Sequence, residues 1–322
     1  MLDKKSVSRY YTSLVCKLFI LGHSTQGESI VMLLCDGDSV IYSCVVDSFV
    51  AEDQIIPKVL LQGMGITRIT DLFWTHPHDD HSNGIIELID EFAPEHIYIS
   101  SELHSLPSNI DTVSSRVLEK INQINGYDRR RNTQTKVVGV ATNYLVHNEL
   151  LKVKPPKESV IQVPFYIYAV APSSGKVRKH VIDRNYNSLN DFSVVLSVLI
   201  GDCSILLTGD IQNRMIGYVY DDLCTEIPVP NILKIPHHGS KDSTQIFKLF
   251  SGEYGVDVGV TTAKKSSNLP RNEAMSIYKS KCDYLYAIDS ESTECAVWGV
   301  EIDILQGAMT ELVSKAYLPY TE

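Results

Sequence analysis

The sequence predicts an α/β fold in which two β-sheets pack face to face and helices cover their outer surfaces. Runs rich in β-branched residues follow one another at residues 14–20, 29–35 and 39–46, with Gly- and Asp-containing turns between them. Later segments alternate between helical and strand patterns, and the clusters of reactive side chains stand directly after strands. These observations favour two layers of sheet rather than a helical bundle or a single open sheet.

The elements after the opening strands are predicted in order from their periodicity. Residues 102–160 are less regular. A polar helix at about 111–125 is followed by a charged and polar segment, and we expect an irregular insertion at about 102–160. A loop is expected at 173–180. No low-complexity linker divides the chain, so we expect a single domain over residues 1–322. The remaining predicted helices are 53–63, 83–92, 211–223, 243–251 and 272–281, and the remaining strands are 68–74, 160–170, 192–200, 203–208, 256–261, 283–288 and 297–305.

Composition excludes some classes of protein. The 322 residues carry a formal net charge of −10, so the overall field does not attract nucleic acid and any such contact depends on local patches. Seven cysteines are scattered singly without a CxxC pair, which predicts reduced thiols in a cytoplasmic protein. No run approaches the roughly 18 apolar residues of a membrane-spanning helix.

The densest chemistry lies directly after the strand at 68–74, where residues 76–81 read HPHDDH. On an extended loop, residues two apart point the same way, so His76 and His78 can share one metal ion. Asp80 and His81 turn into the following helix and can face a neighbouring ion. Imidazole and carboxylate are the expected ligands of zinc, at about 2.0–2.2 Å.

Two further strand ends carry ligand-type residues. Asp210 ends a strand in Thr-Gly-Asp, and His237 and His238 end another in residues 236–240 (PHHGS). A lone histidine is more often a surface or core residue, and Gly-Asp alone commonly marks a turn. The four motif residues His76, His78, Asp80 and His81, all within six positions, favour metal binding instead.

These motifs resemble the metallo-β-lactamase superfamily in the H-x-H-x-D-H string, the Gly-Asp at a strand end and the later histidine. Finer strings resemble the hydrolase domain of the competence protein ComEC and its stand-alone relatives. The resemblance spans about residues 14–305. The matching strings are 27–30 (GESI), Asp47, 190–193 (NDFS), 206–211 (LLTGDI) and 233–240 (LKIPHHGS).

The resemblance implies an αββα sandwich with a site for one or two metal ions, zinc first, with manganese or magnesium as alternatives. His76 and His78 would hold the first ion, and Asp80 and His81 the second. Asp210 would bridge them, and one of His237 and His238 would complete the second site, with the superfamily's Pro-x-His-Gly turn favouring His238. Asp47 would accept a hydrogen bond that orients the histidine loop. Substrate would meet Lys234, Ser240, Asn190 and Ser193 at the mouth.

Two departures from the superfamily pattern stand out. The superfamily usually places another histidine on the first ion after a later strand, where this chain has Ala171. His147 and His180 lie in segments that match none of the family's motifs. The first site is therefore expected to be more open than the second. Asp47 is followed by Ser48 where the superfamily has a small residue and a glycine.

A metal ion bound at this site would lower the pKa of its water and so provide hydroxide at neutral pH. The predicted activity follows from that hydroxide. Asp80 would hold an ion and take up a proton, with His238 also catalytic. A phosphodiester suits such a site best, so the first hypothesis is a cytoplasmic metal-dependent phosphodiesterase or nuclease on DNA or nucleotides, in defence or DNA processing. The basic runs at 129–131 and 176–180 could contact phosphates, although most such runs are solvated loops.

Two alternatives stay open. One is a hydrolase of small substrates such as a cyclic nucleotide, lactone or lactam. The other is a weakly active regulatory subunit that keeps the fold to bind a protein partner or another copy of itself. The absent histidine at Ala171 favours the second alternative.

Overall fold

The computed structural model describes residues 10–103, 110–128, 135–183, 188–224, 226–250, 255–288, 296–315 and 317–319. The strands in chain order are β1 (Val15–His23), β2 (Gly27–Asp36), β3 (Ser39–Val46), β4 (Val50–Ala51), β5 (Gln54–Ile55), β6 (Asp71–Trp74), β7 (His96–Ser100), β8 (Lys136–Val140), β9 (Tyr144–Val153), β10 (Ile161–Ala171), β11 (Val195–Ile200), β12 (Cys203–Leu207), β13 (Ile232–Lys234), β14 (Val256–Thr262), β15 (Cys282–Ile288), β16 (Ala296–Asp303), β17 (Ala308–Lys315) and β18 (Tyr317–Pro319). The α-helices are α1 (Ile56–Gly63), α2 (Asp79–Ser82), α3 (Ile85–Phe92), α4 (Thr112–Asp128), α5 (Ser174–Ile182), α6 (Asn213–Asp222) and α7 (Asn272–Lys279).

Within these residues sixteen strands form two mixed sheets of eight strands each, and β4 and β5 form a separate two-stranded sheet. The first sheet runs β17-β16-β1-β2-β3-β6-β7-β8, and the second runs β18-β15-β14-β13-β12-β11-β10-β9. Strands β3, β6, β7 and β8 pair in parallel, as do β12, β13, β14 and β15. The sheets face each other: the rings of Tyr42 on β3 and Phe165 on β10 lie 5.0 Å apart, edge to face. The predicted sandwich of two sheets with helices outside is confirmed.

Strand β2 shows why the sheets need helices on their outer faces. Alternate side chains of a strand point to opposite faces. Met32 and Leu34 join the cluster between the sheets, while Val31 and Leu33 join the cluster that includes the helices. All four side chains are fully buried. A strand covered on both faces reads as a continuous apolar run, which is how residues 29–35 appear in the sequence.

The segment expected as an irregular insertion at 102–160 is, where the structure describes it, built into both sheets. It supplies α4, then β8 as the edge of the first sheet and β9 as the edge of the second. Edge strands expose one side, and β9 alternates weakly because most of its side chains contact solvent. The expectation of irregularity was wrong because exposed edge strands lack the apolar pattern of central ones.

Smaller expectations also fail. Residues 173–180, expected as a loop, lie mostly in α5, which buries only Val177 and His180 and so has little apolar periodicity. The helix expected at 243–251 is a 3₁₀ segment at Lys241–Leu249. Strands β17 and β18 were not predicted.

The parallel strands bring reactive residues to one edge of the sandwich. Strands β3 and β6 are parallel neighbours, so Asp47 and Thr75 follow them at the same edge. Strands β12, β13 and β14 do the same for Asp210, His237 and Lys264. No helix among the described residues is long and apolar enough to cross a membrane.

Candidate metal centre

The histidine loop leaves β6 and turns at once into α2. His78 has extended backbone angles and precedes the helix, whose first residues are Asp79 and Asp80. His76 and His81 are fully buried, and Asp80 is 7% exposed. The Nε2 atom of His76 lies 3.0 Å from Nδ1 of His78. The loop therefore presents two imidazoles side by side, with Asp80 and His81 one step further along.

Asp210 joins the two halves of the cluster. Its Oδ2 atom lies 3.6 Å from Nε2 of His81 and 3.9 Å from Nε2 of His76, both on the first sheet. The same oxygen lies 3.8 Å from Nε2 of His238 and 3.9 Å from Nε2 of His237, at the end of β13. The structure thus brings together the side chains that the sequence singled out from three separate segments.

Unpaired buried atoms test whether this cluster fits a metal ion. Within the described residues, Nε2 of His81, Nε2 of His238 and both carboxylate oxygens of Asp210 are buried without a hydrogen-bond partner. Each such atom costs about 1–3 kcal/mol if left unsatisfied. These atoms lie in a group with Glu28, here called the second group, and His76, His78 and Asp210 form the first group. A divalent cation satisfies such donors, so the residues present fit one.

Hydrogen bonds determine which nitrogen each imidazole offers. Asp47 accepts from the backbone N–H of Thr75 at 2.7 Å, from its hydroxyl at 2.6 Å, and from Nδ1 of His81 at 2.8 Å. The Thr75 hydroxyl uses its one proton in the hydrogen bond to Asp47, so its oxygen accepts from Nδ1 of His76, 3.0 Å away. In the neutral form both rings therefore carry the proton on Nδ1 and keep the lone pair on Nε2, the nitrogen on the side of the ring nearer Asp210.

Charge in the cluster favours a bound cation. Burial acts to raise the pKa of Asp80, but His81, His238 and Lys264 hold it well below its usual value. Burial also acts to raise the pKa of Asp210, and His238 and His81 hold it well below its usual value. For His76 the largest effect is burial itself, which lowers the pKa well below that of a free histidine. At His81 burial acts to lower the pKa, but the carboxylates of Asp80, Asp210 and Asp47 hold it well above that of a free histidine. The same carboxylates would attract a cation, and metal binding requires that His81 give up the extra proton.

Two residues of the site were not predicted. Lys264 follows β14, and its Nζ lies 2.5 Å from Oδ2 of Asp80. Glu28 lies on β2, where it accepts from Nζ of Lys234 at 2.9 Å. Strand β2 can approach the backbone of Asp80 because residue 27 is glycine, with φ +148°. A Cβ atom there would lie 2.1 Å from the carbonyl oxygen of Asp80. The strand-end rule that selected Asp210 would also have selected Lys264.

All four residues predicted to contact substrate are buried, including Asn190 at 6% and Ser240 at 7% exposure. Lys234 and Ser193 are both 0% exposed, so they do not line a mouth as predicted, and the ammonium of Lys234 is paired with Glu28. Asn190 lies beside the half-buried His237, with Nδ2 3.4 Å from its Nε2. The hydroxyl of Ser240 accepts from the backbone N–H of Asp242 at 3.3 Å and so caps the next helical turn.

Neither alternative histidine joins the donor groups of the described residues. His147 packs on Phe165, with ring centroids 4.4 Å apart. Nε2 of His180 lies 3.0 Å from a carboxylate oxygen of Asp191. Ala171 is buried and offers no ligand atom. The first group therefore has three donors, His76, His78 and Asp210, and no third imidazole from these positions.

A basic pocket of about 210 Å³ lies between α5 and α6. Gln212, which precedes α6, places Nε2 3.4 Å from Nδ1 of His237. The basic run at 129–131 lies outside the described residues, so only the run at 176–180 contributes here. The pocket is lined by Lys176, Lys179, His180, Asp183, Arg214 and Tyr218.

Comparison with known proteins adds a family. The model of the metallo-beta-lactamase superfamily matches residues 25–152, which include the histidine loop. No curated protein sequence matches the chain.

Solved structures resemble the chain only distantly. A metallo hydrolase from the hyperthermophilic archaeon Ignicoccus hospitalis KIN4/I is 10% identical over 88% of this chain and 98% of its own, with a TM-score of 0.43. Zn²⁺-bound PqqB from Methylobacterium extorquens is 10% identical over 87% and 99%, with a TM-score of 0.42. A diphosphatase of the PhnP family is 12% identical over 90% and 98%, with a TM-score of 0.39.

Proposed function

We propose that the chain is a metal-dependent hydrolase of phosphodiesters, acting on nucleotides or DNA, because residues 25–152 match the metallo-beta-lactamase superfamily model and the fold assembles a metal-ligand cluster. The single observation that carries the hydrolase is the carboxylate of Asp210, which lies within 4 Å of imidazole nitrogens from both sheets. We propose zinc as the ion, with manganese or magnesium as alternatives. A role in defence or DNA processing belongs to the same proposal.

The ligand sets follow from the donor groups. We assign His76, His78 and Asp210 to one ion. To the other we assign His81, Asp210 and His238 with Asp80 in place of Glu28, because the oxygens of Glu28 already accept from Lys234 and Thr262. Oδ2 of Asp80 lies 3.7 Å from Nε2 of His81 and 3.6 Å from Nε2 of His238. A zinc ion supplies two things at such a site, a pKa of water lowered to about 7 and positive charge for the substrate's oxygens. Asp80 is the carboxylate best placed to manage a proton, because its Oδ2 faces His238 at 3.6 Å and Lys264 at 2.5 Å.

Lys264 supports an anionic substrate. Its side chain is 23% exposed, so the ammonium reaches the cluster from the solvent side while it contacts Asp80. If Asp80 held an ion, its charge would be partly neutralised, and Lys264 would be available to donate to a substrate oxygen. An ammonium at this position favours a phosphate over a neutral ester or lactam.

The basic pocket supports a substrate with more than one phosphate. Lys176 and Lys179 lie on α5 and Arg214 lies on α6, close to the half-buried His237 through Gln212. In a chain of net charge −10, a local group of cations is the feature that could retain a polyanion. We therefore place nucleotides and oligonucleotides ahead of small neutral substrates.

The experiment measures metal content by elemental analysis, together with turnover of bis(4-nitrophenyl) phosphate, single-stranded DNA and cyclic nucleotides with Zn²⁺, Mn²⁺ or Mg²⁺. A lactone and a β-lactam serve as neutral substrates. We expect bound metal and turnover of phosphodiesters that Asp210→Asn abolishes. Preference for the lactone or lactam would contradict the phosphodiester proposal.

A regulatory subunit is the second candidate. It is favoured by Ala171, which is buried at the position where the resemblance places a further histidine, and by the three-donor first group. No turnover of any substrate by the metal-loaded protein, with any of the three metals, would support this candidate over the hydrolase.

A further inference from the structure

A buried chain of polar contacts stands behind His238. Both carboxylate oxygens of Glu28 contact Nζ of Lys234, at 2.9 and 2.8 Å, although neither residue is accessible to solvent beyond a few per cent. The hydroxyl of Thr262, at the end of β14, also donates to Glu28. Oγ1 of the same threonine lies 2.9 Å from Nδ1 of His238. These four residues come from β2, β13, β14 and the turn after β13.

Counting protons fixes the direction of each bond. An ionised carboxylate only accepts, so the one proton of the Thr262 hydroxyl is used on Glu28. Oγ1 of Thr262 is then an acceptor toward His238, and Nδ1 of His238 must donate. The backbone carbonyl oxygen of Thr262, 3.3 Å from the same Nδ1, can also only accept and requires the same proton position.

The consequence lies on the opposite side of the ring. With the proton on Nδ1, Nε2 of His238 keeps a lone pair, directed toward Asp80 at 3.6 Å and Asp210 at 3.8 Å. Glu28 approaches the Nδ1 side, with Oε2 3.5 Å from that atom, and its oxygens are already engaged. Glu28 is therefore placed to orient a ligand rather than to be one.

We propose that Glu28 is a positioning residue of the metal centre, which acts through Thr262 to hold His238 in the tautomer that can bind metal, while Lys234 supplies the counter-charge. The proposal rests on the metal centre of the proposed function. It needs no substrate, so its failure is separate from failure of the phosphodiesterase assignment. A ligand imidazole held by a carboxylate through its second nitrogen typically gains metal affinity.

The first test removes one hydroxyl. Thr262→Val keeps the shape of the side chain and deletes the relay, whereas Thr262→Ser keeps the hydroxyl. Thr261→Val is the matched control, because the Thr261 hydroxyl is buried beside it without a partner among the described residues. Zinc affinity is measured by chelator competition, with circular dichroism and thermal unfolding on each variant.

We expect Thr262→Val to bind zinc about 10–100-fold more weakly, with Thr262→Ser and Thr261→Val close to the unsubstituted protein. Unchanged affinity in Thr262→Val would overturn the proposal. An equal loss in Thr261→Val would also overturn it, because packing alone would then explain the effect.

The second test observes the tautomer itself in metal-free protein, from the ¹⁵N shifts of the His238 ring. We expect the proton on Nδ1 in the unsubstituted protein and a larger share of the Nε2-protonated tautomer in Thr262→Val, because only the longer contact with the carbonyl oxygen of residue 262 then remains. Removing Glu28 alone would leave Lys234 buried without its partner, so the double variant Glu28→Met, Lys234→Met, which deletes the acceptor of the Thr262 hydroxyl, is used, and it should shift the tautomers in the same direction. A proton on Nε2 in the unsubstituted protein would contradict the relay.

Discussion

The two halves of the metal centre are built differently. The half on the first sheet is nearly contiguous: His76, His78, Asp80 and His81 lie on one loop, and Asp47 at the end of the neighbouring β3 orients it. The half on the second sheet comes from three strand ends, with Asp210 after β12, His238 after β13 and Lys264 after β14. The partner that orients His238 is Glu28, which belongs to the opposite sheet.

This difference indicates which structural changes would disturb each half of the metal centre. The first half is organised within one sheet, whereas the second half depends on how the two sheets pack. Both halves hold non-glycine residues at positive φ, Asp47 at 58° and the consecutive His237 and His238 at 50° and 52°. Such conformations cost about 1–3 kcal/mol each and persist only where surrounding contacts impose them. The second half carries two of them in succession.

The largest effect is expected where the two halves meet. Asp210→Asn removes the charge that both donor groups share, so both ions should be lost and turnover should fall at least about 1,000-fold, equivalent to several kcal/mol on the barrier. Elemental analysis and phosphodiester turnover measure this. Asp221→Asn, on the exposed face of α6, is the control. Metal retained at full occupancy would show that the halves do not share this carboxylate.

One substitution in each half comes next. Asp80→Ala and His238→Ala should each abolish hydrolysis and leave the circular dichroism spectrum unchanged, because each removes a donor of the second group. The two variants are compared with the unsubstituted protein on one oligonucleotide. Normal turnover by Asp80→Ala would rule out the proposed hydrolytic mechanism.

Metal titration should distinguish the two donor groups. The group with Asp80, His81, Asp210 and His238 offers four side chains, and the group with His76, His78 and Asp210 offers three. We expect two binding steps, with the four-donor group about tenfold or more the tighter. Isothermal titration calorimetry would reveal two equal steps if a further ligand completes the first group.

The two halves of the metal centre also differ in how well the sequence predicted them. The four motif residues in 76–81 form a local pattern, and their positions after β6 follow from the strand period. Asp210 and His238 could be joined to them only through the resemblance, because nothing local says which strands become neighbours. The sandwich itself could be predicted, because buried central strands such as β2 are continuous runs of apolar residues.

Glu28 and Lys264 show what sequence reasoning could not supply. Glu28 looks like an ordinary polar position in a strand, and its role depends on Lys234 lying 206 positions later in the chain. Lys234 was misread for the same reason, because a lysine is normally exposed and its buried partner comes from the other sheet. The edge strands β8 and β9 were missed because their exposed faces hide the alternation.

A smaller effect is expected from the lysine beside Asp80. Lys264→Met should raise KM for phosphodiesters about tenfold and leave hydrolysis of a neutral ester nearly unchanged, since only the anionic substrate uses the ammonium. Lys265→Met, at the exposed next position, is the matched control. An equal loss on both substrates would mean that Lys264 serves the ligand Asp80 rather than the substrate.

The smallest effect is expected furthest from the ions. Lys179→Ala and Arg214→Ala should each raise KM for an oligonucleotide by about two- to fivefold and reduce its salt dependence by about one charge, with kcat unchanged. Turnover of bis(4-nitrophenyl) phosphate, which has a single phosphate and none to spare for the basic pocket, should not change. Lys157→Ala, exposed elsewhere, is the control. An unaltered salt slope in both pocket variants would remove the pocket from the substrate path.

The strand order of the first sheet has a consequence for how the protein is made. β16 pairs with β1 along their whole lengths, from Val15↔Asp303 to Gly22↔Ala296. Closing so long a stretch of chain is entropically costly and slow, so the sheet that bears the histidine loop cannot be completed until residues 296–303 have left the ribosome. Until then β1 is an open edge, and a product terminated early would expose it to pairing with other chains.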